Sequence, residues 1–206
     1  GDWLALDGNV KGGVYGATDP YLISSAYYYY STSIVAKAAK VLGAETDEAE
    51  YGRLAADLFA QVRREYYSES GRCCFRTQTA QLLTLEHHLS ENVQLIKNQL
   101  KMLISESGGK LQTGFTGTPL LCNVLSQNGM DELAYQLLLN EEYPGWLHEV
   151  KLGATTVWEH WDSLDDEGKI TGIDMNSMNH YAYGSVIEWL FKYAAGLSFA
   201  QDVPGC

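Results

Sequence analysis

Apolar residues recur at three- and four-residue steps along most of this chain, and short polar or glycine-bearing breaks divide the pattern into helices. Asp19-Pro20 pairs a capping side chain with a proline suited to the first helical position. Ile23, Tyr27, Tyr30, Ile34, Ala38 and Val41 then form a stripe, and Gly43 offers a stop. A second helix begins near Asp47, carries Tyr51, Leu54, Leu58, Val62 and Tyr66 on one face, and breaks at Ser70-Gly71. A third runs from about Thr77 to Leu89. Ser90 is placed to cap a fourth, striped by Val93, Ile96, Leu100 and Leu103 and ending at Gly108-Gly109. Thr118-Pro119 opens a fifth, which stops near Asn128-Gly129. A sixth carries Leu133, Leu137 and Leu138 as far as Tyr143-Pro144-Gly145, and a last one spans roughly His180 to Ala195 before Gly196.

The period stays near 3.6, and strand signals are nearly absent. The expected fold class is therefore all-α. Paired helices of this kind bury their stripes against neighbouring hairpins, as a solenoid or as a closed toroid. No fixed sequence period appears, which counts against a regular solenoid.

Composition narrows the functions. At 206 residues the chain holds one domain with a sizeable core. Its formal charge of −12 and the lack of any basic run argue against nucleic-acid and anionic-membrane partners. No apolar run is long enough to span a bilayer. Cys73, Cys74, Cys122 and Cys206 show no CxxC or Cys/His metal spacing, so neither a metal nor a disulfide framework is expected, and no cofactor is implied.

The unusual side chains lie between helices, where a scaffold displays sites. Thr155-Thr156-Val157-Trp158-Glu159-His160-Trp161-Asp162 places a carboxylate between two indoles. Aromatic faces hold the apolar side of a pyranose, and a carboxylate beside them can read its hydroxyls or act as acid or base. A core cluster of tryptophans with a solvated Glu explains the same eight residues. Gly1-Asp2-Trp3-Leu4 sets an acid next to an indole, or a stray acid beside a buried one. Thr77-Gln78-Thr79 opens a helix, where capping alone accounts for a hydroxyl. Thr113-Gly114-Phe115-Thr116-Gly117-Thr118 lacks the Lys and spacing of a phosphate loop, and a tight turn is its simplest explanation. Met175-Asn176-Ser177-Met178-Asn179-His180-Tyr181 supplies amides, an imidazole and a phenol. His87-His88 has no ligand-spaced partners and is expected on a solvated face.

Together these segments resemble glycoside hydrolase family 78, the α-L-rhamnosidases. The resemblance rests on Gly1-Asp2-Trp3, Thr77-Gln78-Thr79 and Thr113-Gly114-Phe115-x-Gly117-Thr118-Pro119. It continues through Glu141-Glu142-Tyr143-Pro144-x-Trp146-Leu147 and Gly153-Ala154-Thr155-Thr156-x-Trp158-Glu159-x-Trp161-Asp162. Met175-Asn176-Ser177-x-Asn179-His180-Tyr181-Ala182-Tyr183-Gly184 completes it. The resemblance implies helical hairpins forming part of an (α/α)6 toroid, and inverting hydrolysis of terminal α-L-rhamnosides by a general acid and a general base. It implies Glu159 as the base, His180 as a sugar-contacting residue and Trp3 in the pocket lining, and Asp2, Trp158, Trp161 and Asn179 are further candidate substrate-binding residues. An inverting site separates its two carboxyls enough to admit a water.

The family's acid-rich segment, Asp-x-x-x-x-Glu-Arg-x-Gly-Trp in outline, does not occur in these residues. The expected organisation is a partial catalytic domain over 1–197 and a linker over 198–206. That domain would be inactive or nearly so by itself and open to self-association through uncovered toroid surface. Two alternatives remain: a carbohydrate-binding domain without catalysis, or another glycosidase on the same toroid, such as an unsaturated-uronide hydrolase. The latter would want Arg or Lys beside these motifs, where none stands.

Overall fold

The computed structural model describes residues 1–8, 13–171 and 175–197. The expected linker, 198–206, lies outside the described residues, as does Cys206. Two compact units are present, Gly1–Ile104 with Gln112–Gly117, and Ser105–Leu111 with the chain from Thr118 onward.

In the first unit, α1 (Pro20–Leu42) and α2 (Glu45–Tyr66) pack as a long hairpin, followed by α3 (Gln78–Glu86) and α4 (Val93–Glu106). Asp19 accepts hydrogen bonds from the Tyr21 and Leu22 amides at 2.7 and 3.2 Å, supplying partners that the first helical turn lacks. Gly43 ends α1 in the left-handed region, φ 69°, where its N–H reaches Lys40 O. The expected face of α2 is the one turned inward, with Val62 buried and Tyr51, Leu54, Leu58 and Tyr66 partly so.

The expected face of α1 is not. Of the expected stripe only Ile23 is buried, whereas Tyr27, Tyr30, Ile34, Ala38 and Val41 remain exposed; Leu22, Ala26, Thr32 and Ala39 are buried instead. Apolar residues surround this helix, so spacing alone does not choose a face. The small Ala26 shares a cluster with Val62 of α2 and Leu89, against Tyr29, Phe59, Tyr66 and Tyr67. At the start of α4, Asn92 caps through its side chain, accepting the Leu95 N–H at 3.1 Å. Ser90, expected in that role, instead donates to Gly71 O and accepts from the Asn92 amide. Of the pair expected on a solvated face, His88 is exposed, whereas His87 is buried against the Tyr27 and Tyr30 rings.

In the second unit, α5 (Thr118–Gln127) and α6 (Asp131–Leu138) form another hairpin, and a short α7 (Trp146–Lys151) follows where the sequence pattern gave only a break. The last helix is not continuous. It divides into α8 (Tyr181–Gly184) and α9 (Val186–Trp189), then widens into a π-helical turn over Leu190–Ala194. Ser185 separates α8 from α9, its hydroxyl donating to Ala182 O at 2.6 Å. The wide turn closes through the Ala195 N–H on Leu190 O, an i to i+5 bond. Trp189, fully buried, donates its indole N–H to Ser126 Oγ of α5 at 2.8 Å.

Strand is absent among the described residues, apart from isolated antiparallel bridges such as Trp3 with Tyr15 and Leu164 with Ile170. The all-α expectation holds. Cys73, Cys74 and Cys122 are free thiols.

Candidate active site

In the first unit, three of the unusual segments converge on Asp2, which has no exposed surface. Its Oδ2 accepts from Thr79 Oγ1 at 2.5 Å and from the Gly114 N–H at 3.0 Å. Its Oδ1 accepts from the Thr116 and Gly117 amides at 2.7 and 3.4 Å. The glycine loop is thus an anion-binding turn whose anion is the chain's own Asp2. A Cβ on Gly114 would fall on Trp3 O and, at 2.5 Å, on Ala5 N, so only glycine permits this approach. The rest of the Thr-Gln-Thr segment is used in the same way. Thr77 caps α3 and exchanges a hydrogen bond with Thr18, and Gln78 Oε1 accepts the Gln112 N–H at 2.9 Å. With both carboxylate oxygens occupied by the chain, Asp2 is a scaffold residue, and its expected contact with substrate is corrected accordingly.

The network fixes Trp3 beside it. Trp3 O accepts the Phe115 N–H at 2.8 Å, and the next residue, Leu4, takes a left-handed backbone with φ 58°. That conformation costs a branched residue on the order of 1–2 kcal/mol. The Trp3 ring remains partly accessible, edge-to-face with Tyr15 at 5.3 Å.

In the second unit, two loops lie side by side like short strands, and they carry Glu159 and His180. The Glu159 N–H donates to Ser177 O, and the His180 N–H to Val157 O, both at 2.8 Å. Side chains add to the pairing. His160 Nε2 meets Met175 O at 2.9 Å, Ser163 donates to Asn176 Oδ1 at 2.6 Å, Asn176 donates to Thr171 O, and Thr156 donates to Met178 O. Asn176, Ser163 and Thr156 therefore hold the loops together.

Glu159 is almost buried, with 8% of its surface exposed, and only one of its carboxylate oxygens is engaged. The Ser177 N–H donates to Oε2 at 2.8 Å, while Oε1 makes no hydrogen bond among the described residues. Twenty-one positions on in the sequence, His180 caps α8: its Nδ1 accepts the Ala182 N–H at 3.3 Å. An accepting Nδ1 places the ring proton of the neutral imidazole on Nε2, making that nitrogen a donor. Asn179 is exposed.

The two indoles flanking Glu159 are core residues. Trp158 and Trp161 are each 2% exposed. Trp161 stacks on Tyr183 with centroids 4.1 Å apart and takes the edge of Trp146 at 5.3 Å. Trp146 donates its indole N–H to Tyr183 O at 3.0 Å. Such ring pairs contribute about 0.5–1.5 kcal/mol each beyond area burial. Neither indole offers a face on which a sugar could stack, so their expected substrate contact is corrected to packing behind the Glu159 loop.

Sequence reasoning passed over Glu149. This carboxyl is 2% exposed, and burial pushes it up to about 8, against the opposing pull of the Trp158 N–H. The available signal was its spacing: it stands three residues after Trp146, on the same helix face. Among the described residues, no group of three or more His, Cys, Asp or Glu side chains is placed to hold a metal.

A helical-hairpin domain that carries a half-engaged carboxylate and a donor imidazole on paired loops is the class the geometry defines. The chain belongs to the bacterial alpha-L-rhamnosidase six-hairpin glycosidase domain family, whose model matches residues 1–194. The six-hairpin domain of these enzymes is an (α/α)6 toroid, so the hairpins form part of one, as the resemblance implied. An alpha-L-rhamnosidase of Formosa agariphila is 39% identical over 97% of this chain and 22% of its own length. The solved structure of Streptomyces avermitilis alpha-L-rhamnosidase complexed with L-rhamnose matches with a TM-score of 0.86 and 34% identity, over 98% of this chain and 19% of that one. The Aspergillus terreus enzyme matches with a TM-score of 0.88 and 33% identity, over 96% and 24%. The chain thus spans about a fifth of the length of these relatives.

Proposed function

We propose that this chain serves the hydrolysis of terminal α-L-rhamnosides with inversion, with Glu159 as the general base and with Asn179 and His180 at the sugar. The observation that carries the reading is the division of labour within the Glu159 carboxylate. Oε2 is tied to the Ser177 amide, which fixes the plane of the group. Oε1 is left to take a proton from water as that water attacks the anomeric carbon. A general base needs both properties, a fixed orientation and a lone pair left for the proton.

His180 supports the sugar side of the reading. Its position follows from the same paired loops, since its backbone N–H bonds to Val157 O two residues before Glu159. With Nδ1 used as the α8 cap, Nε2 carries the proton of the neutral ring and is its donor. Inversion requires a second, protonated carboxyl on the far side of the scissile bond. The family's acid segment is not among these 206 residues, so that role is assigned to none of them.

The test is Glu159→Gln in the active full-length protein, with an aryl α-L-rhamnoside as substrate. Turnover should fall by about three orders of magnitude while KM changes little, since an interaction made chiefly in the transition state is lost. Proton NMR at early times should show β-L-rhamnose as the first product. Near-normal turnover in the variant would remove Glu159 from the base role. An α product would refute inversion.

A further inference from the structure

Helix α7 is oddly arranged for a surface helix: its Val150 is 59% exposed while the neighbouring Glu149 is 2% exposed. Turning a carboxyl inward and a valine outward is costly unless the carboxyl makes a needed contact. Glu149 makes that contact with the segment leading to Glu159. Its Oε2 accepts the Trp158 N–H at 3.2 Å, and its backbone carbonyl accepts the Ala154 N–H at 3.0 Å. One residue therefore grips both ends of the stretch 154–158.

We propose that Glu149 is a positioning residue for Glu159, its buried carboxyl holding the Trp158 amide and so fixing where the Glu159 carboxylate points. The inference rests on Glu159 being the general base. Residue 159 is then anchored at three points: Trp158 N–H on Glu149, its own N–H on Ser177 O, and its Oε2 under the Ser177 N–H. The last two come from the partner loop, whereas Glu149 supplies the one on the α7 side. The Trp158 N–H is otherwise a buried donor without an acceptor, and leaving such a group unpaired releases the peptide it belongs to.

The protonation of Glu149 suits this role. Burial holds its proton to about pH 8, so at neutral pH it offers a carbonyl-like acceptor without a second negative charge behind Glu159. An ionised neighbour would raise the proton affinity of a base that must stay charged. The other titratable groups of this segment are His148 and Lys151 on α7 and Glu159 itself. Lys151 is paired with Glu141 at 2.8 Å.

Three variants of the active full-length protein decide the matter. Glu149→Leu removes the acceptor and should lower kcat about 100-fold with KM nearly unchanged, the scale expected when a reacting group is displaced by about 1 Å. Glu149→Gln keeps an acceptor oxygen and should restore kcat to within about threefold of wild type. Glu159→Gln, measured alongside, tests the base assignment separately. If Glu159→Gln is inactive while Glu149→Leu keeps normal turnover, the positioning role alone falls. If Glu159→Gln keeps its turnover, the base assignment falls, and the positioning role with it.

Should Glu149→Leu fail to fold, the Trp158 amide resonance decides. In the ¹⁵N-labelled wild-type chain it should titrate with an apparent pKa of about 8, and in Glu149→Gln it should not. An amide that ignores pH over that range, or titrates identically in both proteins, overturns the proposal. So does a Glu149→Gln enzyme as impaired as Glu149→Leu.

Discussion

Replacing Asp2 with Asn is the sharpest test of how the first unit is built, because it removes the charge and one acceptor while keeping the shape. Four donors converge on the Asp2 carboxylate: Thr79 Oγ1 and Gly114 N–H on one oxygen, Thr116 and Gly117 N–H on the other. An amide keeps a single oxygen, so its NH2 must face one of these pairs. Facing Thr116 and Gly117, it leaves two backbone donors unpaired. Facing Thr79 and Gly114 costs less, since the hydroxyl can turn and accept, and only the Gly114 N–H is orphaned. One buried, unsatisfied donor costs about 1–3 kcal/mol, and loss of the charge-assisted character of the remaining bonds adds about 1 kcal/mol. The expected loss for Asp2→Asn is about 3 kcal/mol, with Asp2→Ala larger. Amide hydrogen exchange reads this directly. Gly114, Thr116 and Gly117 should exchange about 100-fold faster in Asp2→Asn, because each factor of ten corresponds to about 1.4 kcal/mol. Protection unchanged within about twofold, which is roughly 0.4 kcal/mol by the same conversion, would refute the scaffold role. If those amides stayed protected while rhamnose affinity fell, Asp2 would be a sugar ligand after all.

Two further outcomes follow from the same unit. His87 is 5% exposed with neither ring nitrogen hydrogen-bonded among the described residues, and burial, with His88 nearby, holds its pKa at about 4 instead of the usual 6.5. The unfolded chain then binds the extra proton between those values, so stability should fall by about 3 kcal/mol as pH drops from about 6.5 to 4. His87→Leu should flatten that slope in denaturant titrations, and an unchanged slope would show that another group causes it. Gly114→Ala drives a methyl into the Trp3 carbonyl and should destabilise the unit by about 3 kcal/mol or more, seen as a lower denaturation midpoint. A variant within about 0.5 kcal/mol of wild type would mean that the Trp3 strand moves aside freely.

What the sequence disclosed divides by range. The ends of α1 were legible because Asp19-Pro20 and Gly43 act on their own backbone within a few residues. Its buried face was not, since tyrosines lie on every side and the partner helix selected the small Ala26 and Ala39. The break at Ser185 and the wide turn after Trp189 were equally hidden, because the residues around them have a sound helical period. Within the motifs, Glu159 and His180 were legible as candidates, whereas the engagement of Asp2, Trp158 and Trp161 by the fold was not. The physical reason is that a motif records which residue types are required, not whether the requirement comes from a ligand or from the fold. Asp2 meets donors 112 and more residues away, and no local pattern reveals that both its oxygens are already taken. Glu159 differs from it in one respect the structure supplies: its Oε2 is held by the Ser177 N–H, and its Oε1 accepts no hydrogen bond among the described residues. Glu149 was invisible for the complementary reason, being a single acid on a six-residue helix whose contact with Trp158 exists only once the loop has folded back. For acids in such motifs, whether the chain engages every oxygen separates scaffold from candidate chemistry, and by that criterion Glu159 is open to chemistry and Asp2 is not.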